Sequence, residues 1–444
     1  MKKNLIYAVL FLLGFTACRK TEVDELFYTS PEARMADTLN FLRKELASAP
    51  YGWKAGLATG LKGGYGFYMQ FDAEQNVTML SDYSTATGTD VKKSTYRVSP
   101  TNLASLVFDT YNYISILQDP VPGVAGGAAG QGLRSDIEFS YLFKSGDSLL
   151  FIGRKYELPL MLVKATQQEQ QSFLAGGTNT YKTSFTNVFN NNYVFSYLSG
   201  GQNGNLAVEL DYAGKRVKFT EVNSSGEVVS SYTSLFYYIP SDLSLVWGSY
   251  MSYKGKVIKA LKYEGNKVLA VLTDNSTQEL LTQNTPLYRL ELVFDYNKNF
   301  KRIVSGDPIP GVTANVHVFD RVKELFTTSG RTISSMYFGF NNSTTATFYI
   351  AYSSGTSNFV ASATYQYRRE GNKLWLKRVG IDGGNNWTTR ATQVAPVDNL
   401  FGTGDEREFL LDWAASSSNS VKFPIAAIKS VSNLNNMLYG RLGE

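Results

Sequence analysis

Residues 64–79 read GYGFYMQFDAEQNVTM. The apolar side chains of this stretch occupy every second position on both sides of a polar segment: Tyr65, Phe67, Met69, Phe71, Val77 and Met79. A period of two is typical of a β-strand that buries one face, because successive side chains point to opposite sides of a sheet. The stretch therefore predicts a β-hairpin that turns at residues 73–76.

The same alternation recurs further along the chain. Residues 206–212 read LAVELDY, and a second alternating run follows the Ala213-Gly214 turn. Further turn signals occur at Ser225-Gly226, Lys254-Gly255 and Gly265-Asn266. Closely spaced turns between alternating runs favour antiparallel sheets with one half-buried face.

Helical spacing of apolar residues predicts helices between these runs of strands. The first helix begins after Ser30, which can cap it, and others are predicted over residues 101–117, 166–173 and 318–326. The fold class is thus strand-rich α+β, with antiparallel sheets each preceded by a helix, in two or three units. The predicted segments are a signal peptide (1–17), a lipidated cysteine with a tether (18–29), an N-terminal α+β domain (30–165), a β-rich middle unit (166–307) and a C-terminal α+β unit (308–444).

Composition excludes several classes of function. The 444 residues include one Cys and one His, and 43 Lys and Arg stand against 38 Asp and Glu, a net charge of +5. A balance this close to neutral argues against nucleic acid as a partner. One histidine and one cysteine cannot build a zinc or iron–sulfur centre of the usual kind within one chain, so no metal and no cofactor are expected.

The N-terminus has the features of an export signal. Lys2 and Lys3 precede a short apolar run that ends at Phe15, and Thr16-Ala17-Cys18 follows. The run Phe15-Thr16-Ala17-Cys18 resembles the lipobox of bacterial lipoproteins. By that resemblance Cys18 carries acyl chains such as palmitate, and these hold the mature protein on a membrane.

Motifs of common enzyme classes are missing from the sequence. Gly214-Lys215 and Gly255-Lys256 lack the Ser or Thr of a phosphate-binding loop, and no Gly-x-Ser-x-Gly elbow occurs. His317 stands at the start of a predicted helix, where a packed or capping role is favoured over catalysis. No catalytic residue is therefore predicted. Glycosidases need only a pair of carboxylates, which a single sequence cannot identify, so a carboxylate-dependent glycan hydrolase stays open.

An ordered set of short motifs in residues 30–165 resembles a Bacteroidota lipoprotein family, domain-of-unknown-function family 4302. The motifs are Ala49-Pro50-Tyr51-Gly52-Trp53, Tyr65-Gly66-Phe67, Phe71-Asp72, Ser81-Asp82, Phe108-Asp109-Thr110-Tyr111-Asn112, Arg134-Ser135-Asp136 and Gly153-Arg154-Lys155-Tyr156. The resemblance implies export, lipidation and display at the outer membrane or cell surface. It also implies an accessory role beside a TonB-dependent transporter, and it implies no reaction.

Five residues are candidates to face a ligand. Arg134, Asp136, Arg154 and Lys155 lie beside predicted strands within the family motifs and could line a groove, although Asp136 and Arg154 could equally form a structural ion pair. Trp387 follows a polar turn, where its ring is either a platform for a sugar or part of the core. The predicted function is a non-enzymatic lipoprotein that binds a glycan or another nutrient, and the alternatives are the glycan hydrolase or a structural adhesion protein.

Overall fold

The computed structural model describes residues 30–444 except 193–194 and 202–203. These residues form a closed eight-stranded barrel, a ten-stranded sheet and a second closed eight-stranded barrel. Every pairing between named strands is antiparallel, which confirms the strand-rich α+β class. The predicted signal peptide, Cys18 and the tether lie outside the described residues. No helix of the described part is long and apolar enough to cross a membrane.

Helix α1 (Pro31–Ala47) precedes the first barrel, as predicted. The Ser30 side chain accepts a hydrogen bond from the Ala33 amide (3.2 Å) and caps the helix. The buried face of α1 carries Leu39, Leu42 and Leu46. The barrel strands are β1 (Trp53–Ala58), β2 (Gly64–Phe71), β3 (Asn76–Ser81), β4 (Lys92–Pro100), β5 (Ala104–Phe108), β6 (Glu138–Ser145), β7 (Ser148–Gly153) and β8 (Pro159–Lys164).

The hairpin predicted from residues 64–79 is confirmed. Strands β2 and β3 pair with Met69 opposite Met79 and Phe71 opposite Val77. The alternating side chains fill the barrel interior, and β8 pairs with β1 to close it. The first hydrophobic core is therefore the inside of the barrel.

The helix predicted over residues 101–117 is wrong. Strand β5 occupies Ala104–Phe108, and the helical part is the short α2 (Tyr113–Ile116), followed by α3 (Pro122–Ala125). All five residues of β5 are buried, so the strand shows no alternation and its apolar run imitates a helical face. Asn112 caps α2 and separates it from the strand.

The middle sheet follows helices α4 (Gln167–Leu174) and α5 (Gly177–Asn192). Helix α4 confirms the prediction for residues 166–173, and Thr166 caps it. Helix α5 was not predicted, because its sequence is rich in Asn and Thr. The strands are β9 (Phe195–Ser199), β10 (Asn205–Asp211), β11 (Arg216–Val222), β12 (Val228–Tyr238), β13 (Leu243–Leu245), β14 (Met251–Tyr253), β15 (Lys256–Glu264), β16 (Lys267–Leu272), β17 (Thr277–Glu279) and β18 (Leu281–Gln283).

A buried ion pair joins the first barrel to the middle sheet. Asp82 follows β3, and its carboxylate accepts hydrogen bonds from Lys215 Nζ (2.6 Å) and from the amides of Tyr238 (2.7 Å) and Gly66 (3.0 Å). The Asp82 side chain is fully buried and that of Lys215 is 8% exposed. Burial lowers the pKa of Lys215 to about 8, although the Asp82 carboxylate acts in the opposite direction.

Glycine permits this close approach. A Cβ on Gly66 would lie 2.4 Å from the Tyr238 carbonyl oxygen, and a Cβ on Gly64 would lie 2.4 Å from a Val246 methyl group. These contacts cross the boundary predicted between residues 165 and 166, so the barrel and the middle sheet share a buried interface. The unit boundaries themselves stay a prediction.

The second barrel has a helical insertion. A short 3₁₀ helix (Leu290–Leu292) precedes it, α6 (Val318–Thr328) follows its first strand, and α7 (Asn386–Thr389) and α8 (Ala391–Phe401) follow its fifth. Helix α6 confirms the prediction for residues 318–326. The strands are β19 (Arg302–Val304), β20 (Arg331–Phe340), β21 (Thr345–Ser354), β22 (Ser357–Glu370), β23 (Lys373–Ile381), β24 (Arg407–Ala414), β25 (Ile425–Ser430) and β26 (Asn433–Gly443).

Candidate functional site

Helices α6 and α8 pack against each other and into the core of the second barrel. Helix α6 buries Val318, Val322 and Phe326, and α8 ends in Phe401, which is fully buried. The Phe401 ring lies 5.3 Å from the Phe409 ring on β24. The helix pair is therefore anchored by the same core that holds the barrel strands together.

A cleft of about 800 Å³ borders this helix pair. Its walls come from α6 and the residues just before it, from α8, from the first residues of β24, and from the end of β25 through the start of β26. Its apolar lining consists of Val316, Val318, Pro396, Leu400, Val431 and Met437. Its uncharged polar lining consists of Asn399, Ser430, Ser432 and Asn436.

Arg407 is held in the cleft wall by the end of α8. Its Nη1 donates to the carbonyl oxygens of Asn399 (2.7 Å) and Leu400 (3.0 Å). Carbonyls in the last turn of a helix lack partners within the helix, and a cation there is also favoured by the helix dipole. Gly402 ends α8 with φ +83°, and a Cβ on it would lie 2.8 Å from Arg407 Nε. Glycine at 402 thus leaves room for the guanidinium.

Two further charged residues line the cleft. Arg321 on α6 is half exposed and pairs with Glu324 one helical turn later, at 2.6 Å. Glu408 on β24 pairs with Lys373 on the neighbouring strand, at 3.3 Å. Among the described residues of the lining, Glu408 is the single carboxylate, and two arginines oppose it.

His317 is not among the lining residues of the cleft, although its chain neighbours Val316 and Val318 are. It occupies the cap position of α6 without a side-chain capping bond, and its Nδ1 contacts the Tyr439 hydroxyl. Asp320 is 3.9 Å from the same nitrogen. Burial, together with the charge of Asp320, raises the pKa of Tyr439 well above its usual range. The His317 side chain is 43% exposed and contacts a phenol on one side, with a carboxylate nearby.

The structure gives the candidates in the first barrel partners within the fold. Asp136 is buried, and its carboxylate accepts from the amides of Lys155 (2.9 Å) and Tyr156 (3.1 Å). Arg154 pairs with Glu138 (2.8 Å), so the Asp136–Arg154 ion pair considered from the sequence does not form. Arg134 donates to Gln131 (2.8 Å). Asp136 thus stabilises the turn between β7 and β8.

Trp387 belongs to the core and offers no surface platform. Its side chain is 2% exposed, and the indole Nε1 donates to Asp398 (3.2 Å). The polar turn before it gave a misleading signal, because Asp382 in that turn accepts from the amides of Asn386 (2.6 Å) and Trp387 (2.9 Å). The carboxylate starts α7, and the helix then directs the indole inward.

The cleft residues were not identified from the sequence. They come from three segments far apart in the chain, 316–321, 396–408 and 430–437, and none of them forms a recognisable motif. Within the described residues, no group of three or more His, Cys, Asp or Glu side chains could hold a metal ion.

Comparisons with known proteins give one family. No curated protein matches the chain. Among solved structures, the isotype 1 transferrin binding protein B from serogroup B Neisseria meningitidis aligns with 8% identity and a TM-score of 0.12, over 86% of this chain and 66% of that one. The family model described as Domain of unknown function (DUF4302) matches residues 23–265, which span the first barrel and the middle sheet through β15. This match extends 100 residues past the segment 30–165 that carries the motifs. It stops before the cleft, and it covers more than half of the chain. The chain is a member of the DUF4302 family.

Proposed function

We propose that this protein is a non-enzymatic, lipid-anchored binding protein whose ligand occupies the cleft of the second barrel. In this proposal, acyl chains on Cys18 hold it at the outer membrane or cell surface of a Bacteroidota cell. There it captures a nutrient for a TonB-dependent uptake system.

The cleft is the observation that carries the proposal. Its volume of about 800 Å³ falls in the range of about 300–1,000 Å³ that is typical of small-molecule sites. Apolar walls are combined with a few polar and charged groups, as in sites that bind and orient a ligand. Helices and strands of one hydrophobic core supply most of the walls, which favours a preformed site.

The charges in the cleft favour binding over glycan hydrolysis. Most glycosidases use two carboxylates on opposite sides of the scissile bond. Within the described lining Glu408 has no second carboxylate beside it, and Lys373 neutralises it. A well-formed cleft also favours a ligand-binding role over a purely structural one.

A thermal-shift screen of nutrients with two matched tryptophan variants tests the proposal. Val431→Trp places a large ring in the cleft. Val379→Trp places one at a similarly exposed valine of the same barrel, outside the cleft lining. We expect compounds from a panel of glycans, organic acids and peptides to raise the melting temperature of the wild type and of Val379→Trp but not of Val431→Trp. An equal shift in Val431→Trp, or no active compound, would contradict the proposal.

Membrane attachment is tested by Cys18→Ala. Without the thiol there is no site for acylation, so the variant is expected in the soluble fraction while the wild type sediments with membranes. Mild-detergent extraction of the wild type is expected to co-purify a TonB-dependent transporter. Continued membrane association of Cys18→Ala would refute the lipid anchor, and isolation of the protein without any transporter would refute the uptake role.

A further inference from the structure

From the charges and apolar surfaces of the cleft we infer that its ligand is an organic carboxylate with an aliphatic body. This inference rests on the proposed function and names the ligand class for the same site. The carboxylate engages Arg407 and Arg321, and the aliphatic part lies against the valine, leucine and methionine side chains of the wall.

The charge of the cleft favours an anion. Arg321 and Arg407 give a formal +2 against the single negative charge of Glu408, counted over the described lining. Lys373 lies 3.3 Å from Glu408, so that carboxylate is already engaged by a cation outside the lining. Arg321 is likewise paired with Glu324 outside the lining, so counting both outside partners leaves a net charge of +1. Within the described residues Arg407 has no carboxylate partner, so it is the principal guanidinium for a bound anion, and Arg321 is a second one shared with Glu324.

Arg407 is prepared for such a contact. The two carbonyls at the end of α8 use Nη1, and within the described structure neither Nε nor Nη2 donates to a protein acceptor. A guanidinium presents its donors in a planar fork that matches the two oxygens of a carboxylate. The carbonyls at the end of α8 already hold Nη1 in place. The Arg407 side chain therefore loses little additional conformational freedom when a ligand binds.

The remaining walls favour an aliphatic partner over a sugar. Val316 and Val431 are 45% and 46% exposed, and Pro396, Leu400 and Met437 continue the apolar lining. None of the described lining residues is aromatic, so the flat platform that commonly receives a sugar ring is missing there. Covering these aliphatic side chains with a hydrocarbon removes apolar surface from water on both partners.

The test measures binding of octanoate to the lipidated chain in detergent micelles by isothermal titration calorimetry, with empty micelles as the blank. Octanamide has the same aliphatic body without the charge, and acetate has the charge without the body. A second pair, N-acetyl-leucyl-leucine and its C-terminal amide, shows whether the preferred carboxylate is that of a fatty acid or of a peptide end. We expect one or both carboxylates to bind at least tenfold more tightly than the matching amide, and acetate to bind weakly.

Arginine variants locate the contact. Replacing Arg407 by Gln removes a charge-assisted hydrogen bond, which corresponds to roughly a 10- to 100-fold loss of affinity. Arg321→Gln is expected to lose less affinity than Arg407→Gln. It disturbs only an exposed ion pair, so a loss of affinity in this variant cannot be attributed to unfolding. Arg97→Gln, which removes a similarly exposed arginine of the first barrel, is expected to leave the affinity unchanged.

Three results of these titrations would contradict a carboxylate ligand. Equal binding of acid and amide, unchanged affinity in both Arg321→Gln and Arg407→Gln, or no binding of either carboxylate at millimolar concentration would overturn the inference. In each of these cases the proposed function still stands if the nutrient panel yields a compound whose effect is lost in Val431→Trp. The proposed function fails as well if the panel yields no active compound, or if the compounds shift Val431→Trp as much as the wild type.

Discussion

In the interface between the first barrel and the middle sheet, replacing Asp82 is expected to cost more stability than replacing Lys215. Removing one member of a buried ion pair generally costs about 3–5 kcal/mol, because an uncompensated charge is left behind. In Lys215→Met the Asp82 carboxylate keeps two backbone donors, Gly66 and Tyr238. The free energy of unfolding is therefore expected to fall by about 3 kcal/mol, the lower limit of that range.

Asp82→Ala is more damaging, because three donors lose their acceptor at once. Each buried amide without a partner adds about 1–3 kcal/mol, and the Lys215 ammonium is also left unpaired. We expect the free energy of unfolding to fall by at least about 5 kcal/mol in total. In the double variant no buried charge remains, so its loss should be at least 2 kcal/mol smaller than the sum of the two single losses.

Hydrogen exchange at increasing urea concentration measures these losses locally. Peptides covering 64–71 and 228–238 report on the interface, and a peptide covering 331–340 in the second barrel serves as an internal reference. Asp109→Ala, which breaks an exposed ion pair with Arg97, is the control and should cost less than about 1 kcal/mol. A greater loss of stability in Lys215→Met than in Asp82→Ala, or losses below 1 kcal/mol in both, would contradict the assigned roles of the two residues.

Three more measurements test the buried contacts. Burial lowers the pKa of Lys215 from 10.5 to about 8, so on raising the pH the folded state releases this proton before the unfolded state does. The stability of the wild type relative to Lys215→Met should therefore rise between about pH 7.5 and 9.5, and a flat difference would contradict this. Gly66→Ala should lower the free energy of unfolding in urea by about 2–3 kcal/mol, because the added methyl group meets the Tyr238 carbonyl. The control Gly380→Ala adds a methyl group where no atom lies nearby and should cost under about 0.5 kcal/mol, so equal losses would argue against the clash. Trp387→Ala should lower stability by about 3–5 kcal/mol as a core truncation, and a loss below 1 kcal/mol would place the ring at the surface.

Local sequence patterns predicted the elements that bury one face. The hairpin at residues 64–79, helix α1 and helix α6 each repeat apolar residues at the period of their own geometry, so the sequence is enough to recognise them. Strand β5 was mistaken for a helix because neighbouring structure covers both of its faces. Helix α8 was missed because Pro396 lies inside it, and proline normally argues against a helix interior.

The candidate site depends on tertiary structure and could not be predicted in the same way. Arg407 gains its role from the free carbonyls at the end of α8, and Val431 gains its role from a turn that faces α6 and α8. The charged residues of the family motifs were better signals of structure: Asp82 joins two sheets, and Asp136 holds a turn. A buried aspartate bound to backbone amides has the same sequence signature as one that faces a ligand.

Photo-crosslinking tests the central claim, that the cleft of the second barrel is the ligand site, most directly. A photoreactive compound derived from the tightest ligand of the nutrient panel would be crosslinked to the lipidated protein, and the labelled peptides would be identified by mass spectrometry. We expect labels within 316–321, 396–408 and 430–437, and we expect the unmodified ligand to compete with labelling. Labels confined to the first barrel or the middle sheet, with these three segments unlabelled, would contradict it.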